Sequence, residues 1–254
     1  MKRSRISEEP ARAPEARRIC GDPADRPHGD AETLTLDVKR TMLIELGKSR
    51  VLLLGTLKGL VSEKEVVRSA FEDFGPDVIC LHIGREEMKG LKAVVNGKVE
   101  NTYLSTTEKI YAREISRFGE VQIPPPSLVE AYNISKEEGL PIRSLDFDDI
   151  SYSDIYTRSV GGMTLIRQSL RIKSINKRKF RSDNPEDFVL EWDRTINRYR
   201  GFQRLELERE GRMARRIREI SRKFGRVLAI IEYERMKGVS GKLSKDPTGL
   251  SLKG

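Results

Sequence analysis

Val51-Leu-Leu-Leu-Gly55-Thr56-Leu57-Lys58 and Val227-Leu-Ala-Ile-Ile231-Glu232-Tyr233-Glu234-Arg235 are the two stretches that decide how this chain folds. Each is a short, near-continuous apolar run that stops abruptly at small or polar residues. Such runs read as strands buried on both faces, the kind found in parallel sheets covered by helices. Working outward from the first run, Gly47-Lys-Ser makes a turn before it, and Ser62 with Glu65 three residues on reads as a capping box opening a helix. Val66, Val67, Ala70, Phe71 and Phe74 form the apolar stripe of that helix, Gly75-Pro76 ends it, and Asp77-Val-Ile-Cys-Leu-His82 is the next strand. Strand, helix and strand in that order predict a βαβ unit with a parallel pair and a right-handed crossover.

Farther along, Asn96-Gly97 marks a turn, and Thr106 to Phe118 reads as a helix stopped by Gly119. Val121-Gln-Ile-Pro-Pro-Pro126 is extended. Ser127, with Glu130 at the capping-box position, opens a helix that runs to Gly139. Pro141-Ile-Arg-Ser-Leu-Asp146 is a short strand followed by an acidic loop, Asp146, Asp148 and Asp149. From Ser153 to Phe224 no strand pattern occurs; the segment reads as two or three long helices with breaks at Gly161-Gly162 and Asp183-Asn-Pro185. Thr33 to Val38 alternates as a short exposed strand does. Residues 1–32 have almost no large apolar side chain and read as a disordered tail, and residues 241–254 read as a flexible one. The expected architecture is therefore α/β: one domain over 33–240 with a mixed or parallel sheet, flanking helices, and a helical insertion at about 153–224 before the last strand.

Of the 254 residues, 37% are hydrophobic and 34% charged, which suits a charge-rich globular chain. No run is long and apolar enough for a membrane span, and the first residues have no apolar core of a secretory signal. The two cysteines, Cys20 in a Pro-rich segment and Cys80 in an apolar strand, do not suggest a disulfide, which fits a cytoplasmic setting. The net charge is +9, yet Arg158 to Arg226 alone holds 20 basic against 9 acidic residues. These basic helices at 158–226 fit a nucleic-acid partner, and equally a solvated face rich in Arg and Glu.

Several segments, in order, resemble the TraB family. They are Val51–Thr56, Gly75-Pro76-Asp77-Val78, Gly139-Leu-Pro-Ile-Arg-Ser-Leu-Asp146, Asn184-Pro-Glu-Asp-Phe188 with Trp192-Asp193, Glu208-Arg209 with Met213-Ala214, and Val227–Gly238. The resemblance spans roughly residues 45–240. It implies a compact α/β domain shared with Tiki proteases and erythromycin-esterase-like enzymes. It also implies a site built from a Gly-x-x-His after the first strand, a glutamate after the second, a Gly-x-x-His after the last, and an arginine on the late helix. Here Gly55-Thr56-Leu57-Lys58 keeps the glycine and carries lysine for histidine. His82 stands where the glutamate would fall, and Glu232-Tyr-Glu-Arg235 lacks both glycine and histidine. Glu208-Arg209 matches.

Lysine and arginine are donors and ligate a divalent cation poorly, so the altered positions predict no metal and no cofactor. Two readings of the cations stay open. Lys58, Arg209 and Arg235, with Gly55 and Thr56 at the strand end, would form an anion pocket for a phosphate- or carboxylate-bearing small molecule. Alternatively they pair with Glu208, Glu232 or Glu234 as structural salt bridges. Should catalysis survive, His82, Glu208 and Glu232 are the candidate catalytic groups. Asp146, Asp148 and Asp149 have the chemistry of a Mg²⁺ site or of a solvated loop. Trp192 and the Tyr199/Phe202 pair read as core. No Walker A, HExxH, GxSxG or paired CxxC occurs. The expected function is a degenerate TraB-like binding protein; a rearranged hydrolase and a basic nucleic-acid or ribosome factor are the alternatives.

Overall fold

Five strands of the computed structural model, which describes residues 40–98 and 104–245, lie in one sheet of order β1-β2-β5-β3-β4. The strands are β1 (Thr41–Leu46), β2 (Ser49–Thr56), β3 (Val78–Leu81), β4 (Ile142–Ser144) and β5 (Arg226–Glu232). β2, β5, β3 and β4 run parallel, and β1 alone is antiparallel, so the sheet is mixed. The two runs quoted first are direct neighbours: Val51 sits opposite Val227, and Val227 in turn opposite Val78. The βαβ crossover through α1 (Glu63–Phe74) does not join adjacent strands; β5 fills the slot between β2 and β3.

The apolar runs are continuous because helices cover both faces of the sheet and side chains alternate between them. Leu52, Leu54, Ile79, Leu81, Leu228 and Ile230 point to one face, where they meet Val67 and Phe74 of α1, α2 (Arg85–Val95) and α4 (Pro126–Glu137). Val51, Leu53, Val78, Cys80, Val227 and Ile231 point to the other. There they meet α8 (Arg200–Ser221) and α9 (Met236–Ser244). Fully burying one such side chain is worth roughly 1.5–3 kcal/mol. A third apolar cluster lies beyond the strand ends. Leu57 and Leu60 pack there with Ile110 and Ile115 of α3 (Thr106–Ile115), Phe180, and Phe188 and Trp192 of α7 (Pro185–Ile196).

The local readings divide. Gly75 takes the left-handed conformation (φ 56°) and ends α1, as its sequence signal predicts. The Ser62–Glu65 capping box does not form. Glu63 instead turns inward, pairs with Arg40 at 2.6 Å and accepts from the Leu57 backbone N–H at 3.2 Å. The Ser127–Glu130 box also does not form, because α4 begins two residues earlier, with Pro125 as its cap and Pro126, whose missing N–H costs nothing in a first turn, as its first residue. Glu130 is drawn to Arg68 instead. Ser105 and Glu108 make the box that is present, at the start of α3. The insertion holds four helices, α5 (Asp149–Ser159), α6 (Gly162–Ile175), α7 and α8, with breaks at the expected Gly161 and Asn184-Pro185. A third break at Arg198-Tyr199 carries neither glycine nor proline.

The chain after Gly238 is not loose as far as Ser244: α9 buries Val239 and Leu243 against the sheet. The readings of residues 1–32 and of the strand at 33–38 fall outside the described residues, as does the stretch from 246 onward. No described helix is long and apolar enough to cross a membrane.

Candidate functional site

The parallel strands deliver their carboxyl ends to a cleft of about 660 Å³. Crevices of this size at such strand ends are the common ligand sites of open α/β sheets. Lys58 follows β2, His82 follows β3, and Glu232 ends β5 with Glu234 two residues on; Arg209 reaches in from α8. The walls are apolar, with Leu91 and Val94 of α2, Tyr111 of α3, Val121, Leu128 and Trp192 among them.

Arg209 organises the polar floor. Its Nε donates to Asp146 at 2.8 Å, its Nη1 donates to Glu206 at 2.9 Å, and its Nη2 lies 3.5 Å from Glu232. Glu232 is also 3.9 Å from His82 Nε2. On the other side of the ring, His82 Nδ1 lies 3.3 Å from the Ile230 carbonyl. A carbonyl only accepts, so the hydrogen-bond network assigns the proton to Nδ1 and leaves the Nε2 lone pair facing Glu232.

Two carboxyl groups, Glu232 at the end of β5 and Glu234 in the turn after it, shift in opposite directions. Burial by itself would raise Glu232, but the charges of Arg209, Lys58 and Arg235, joined by His82 when its ring is protonated, outweigh it and hold the group down at about 2. Burial and the neighbouring Glu232 charge push Glu234 up to about 8. Glu232 is thus an anion and Glu234 a neutral acid at pH 7. The Tyr111 phenol is also raised well above its ordinary value by burial and by the charges of Glu234 and Glu232, so it stays an O–H donor.

Of the sequence candidates, Lys58, His82, Arg209 and Glu232 meet in this cleft. Lys58 is half-exposed and 3.4 Å from Glu108. The other candidates lie elsewhere. Arg235 does not line the cleft. It is buried among Asp193, Glu210 (3.3 Å) and Glu206 (3.7 Å), and Lys242 joins the same network at Glu210 (3.2 Å). Gly55 backs onto Met236, and Thr56 donates its hydroxyl to the Ile231 carbonyl at 3.3 Å, both outside the cleft lining. Glu208 is exposed on α8 and does not line the cleft either. The anion pocket of Lys58, Arg209 and Arg235 therefore does not form, since each cation faces carboxylates and the three do not converge.

Glu234 and Tyr111 also line the cleft and were not among the sequence's site candidates. For Glu234 strand alternation gives no signal, because β5 ends at Glu232 and Glu234 lies in the helical turn that follows. The acidic loop is committed to structure, with Asp146 bound to Arg209 and Asp148 capping α5 by accepting from the Ser151 backbone N–H at 2.9 Å. Among the described residues no group of three or more His, Cys, Asp or Glu is placed to hold a metal ion. A divalent cation in the cleft would face Arg209 and Lys58 and compete with them for Glu232, so the residues do not fit the metal that the TraB resemblance implies. Comparison of the chain with protein-family models and with curated proteins finds no match.

Proposed function

We propose that this chain is a TraB-like α/β protein whose strand-end cleft hydrolyses a small, largely apolar ester or amide using its own acid and base. The observation that carries the reading is the placement of Glu232, Glu234 and His82 together in one apolar-walled cleft, where burial and the Glu232 charge raise Glu234 while Arg209 lowers Glu232. Glu234, protonated at neutral pH, donates its proton to the leaving group. His82 takes a proton from the attacking water at Nε2, and Glu232 supplies the charge partner for the imidazolium so formed. Arg209 fixes Glu232 and holds it ionised beside His82. The apolar walls exclude water from the acyl portion and raise the strength of every charge contact on the floor.

The neutralisation of Lys58 and Arg209 by carboxylates favours this reading over anion binding in the same cleft. The test is a panel of chromogenic acyl esters and anilides, run with the wild type, His82→Ala and Glu234→Gln. Turnover should fall about a hundredfold or more in each variant, and wild-type kcat should decline as pH rises through about 8, where Glu234 loses its proton. Saturable binding without turnover would assign the cleft to ligand binding alone. No turnover and no binding, or turnover undiminished in both variants, would sink the reading.

A further inference from the structure

A second, smaller cleft of about 250 Å³ opens at the carboxyl end of the edge strand β4. Four arginines line it. Arg85 is the first residue of α2, Arg143 lies on β4, and Arg212 and Arg216 lie one turn apart on α8. Four guanidinium groups from three elements on so small a space repel one another unless something negative sits among them.

The carboxylates nearby meet that need only in part, since Asp148 faces both Arg85 and Arg212 and Glu219 takes Arg216. Asp146 lines the cleft, but both Arg209 contacts fall on its Oδ2, at 2.7 and 2.8 Å, while its Oδ1 accepts from the Phe147 N–H at 2.8 Å. Asp148 also lines it, and its Oδ1 is spent on the Ser151 N–H of α5. Glu219 holds Arg216 from one side. Arg143 donates only to its neighbour's carbonyl, Ile142 at 3.2 Å. Arg212 stacks over the Phe147 ring at 5.6 Å, and its Nε is buried with no hydrogen-bond partner among the described residues. A buried guanidinium N–H without a partner is uncommon, because it forfeits its hydration and gains nothing in return. Ser144 also lines the cleft, with its hydroxyl donating to the Gly84 carbonyl at 3.3 Å. Arg85, at the amino end of α2, adds its charge to the positive end of that helix.

We propose that this cleft is an oxyanion site that takes a phosphate group, either inorganic phosphate or the phosphoryl end of a small phosphorylated metabolite. Arginine forks match the paired oxygens of phosphate, and a dianion offsets more of the local excess than a single carboxylate does. The cleft has room for the phosphate group itself and not for a whole nucleotide, so any organic portion lies outside it. The site shares a wall with the larger cleft: Asp146 lines this one, and the Arg209 bound to it lines the other. The proposal does not rest on the hydrolase reading.

The test is thermal melting of the full chain in increasing inorganic phosphate, with ionic strength held constant by chloride, followed by titration calorimetry. Phosphate should stabilise the wild type saturably, and Arg212→Gln and Arg85→Gln should each weaken binding about tenfold. Arg85 is exposed, so its variant keeps the test informative if loss of Arg212 disturbs folding. Glycerol 3-phosphate binding more tightly than phosphate assigns the site to a phosphorylated metabolite, and equal binding assigns it to phosphate itself. No stabilisation beyond that of chloride, or binding undiminished in both variants, overturns the proposal.

Discussion

Glu232 and Glu234 stand two residues apart at the end of the central strand and hold opposite protonation states, one ionised against Arg209 and one neutral against Glu232. Their contributions to stability therefore run in opposite directions with pH. Glu234 has its folded-state value raised from 4.5 to about 8, so its contribution is complete below pH 4.5 and is lost as pH rises through 8. Glu234→Gln should remove that loss. The variant should melt above the wild type at pH 8, and the gap should close toward pH 4.5.

Glu232 behaves conversely. Its value is lowered to about 2, so its contribution is present above pH 4.5 and fades as pH falls through 2. Glu232→Gln should destabilise the chain at pH 7 and cost progressively less in acid. Melting curves of both variants between pH 3 and 9 check the two signs together; parallel curves for wild type and variants would refute them.

Arg235 predicts a loss of stability. It is buried and serves Asp193, Glu206 and Glu210 at once. Removing it leaves those carboxylates uncompensated in a low-dielectric setting, which costs about 3–5 kcal/mol. Urea denaturation of Arg235→Met should show that loss. A change below about 1 kcal/mol would mean that the network is solvated.

Two glycines of one helix region should respond with opposite signs. At Gly84 the Phe147 carbonyl occupies the space a Cβ would take, and a backbone atom cannot swing aside. Gly84→Ala should cost about 1–3 kcal/mol. At Gly90, inside α2, nothing lies within 4 Å of an added Cβ. Gly90→Ala should stabilise by about 0.5–1 kcal/mol. Denaturation midpoints of the two variants decide the matter.

Cys80 should resist modification. It is fully buried in β3, and burial pushes its thiol up to about 12. In a Cys20→Ser background, thiol reagents should label the native protein only at the rate at which it unfolds. Stoichiometric labelling within seconds would contradict the packing.

The sheet was legible in the chain because Val51 to Gly55, Val78 to Leu81 and Val227 to Ile231 are apolar without interruption, a pattern with few alternatives. The edge strand β1 was not, since Met42 and Leu43 are exposed and adjacent, which breaks the alternation by which exposed strands are recognised. Helix α2 was hidden by Gly90 in its middle, and α9 by Gly238 and Gly241. Gly238 belongs to that helix because the Glu210 carboxylate packs where a Cβ would be. For the site, strand-end position was enough to single out Lys58, His82 and Glu232. Whether Arg235 faced the cleft was not readable, because the single turn at Tyr233–Arg235 rotates it toward α7 and α8. The arginines of the smaller cleft lie at 85, 143, 212 and 216, and no local pattern links positions so far apart.

The place of β5 between β2 and β3 sets an order of events during synthesis. The ribosome releases β1, β2, β3 and β4 first, and among the described strands those give two half-sheets, β1 with β2 and β3 with β4, with no ladder joining them. Each half holds an open inner edge until β5 arrives and bonds to both. The same late strand ends in Glu232, with Glu234 just beyond it, so a nascent chain has neither a closed sheet nor a complete cleft floor. Sheet and cleft are completed together, by residues 226 to 234.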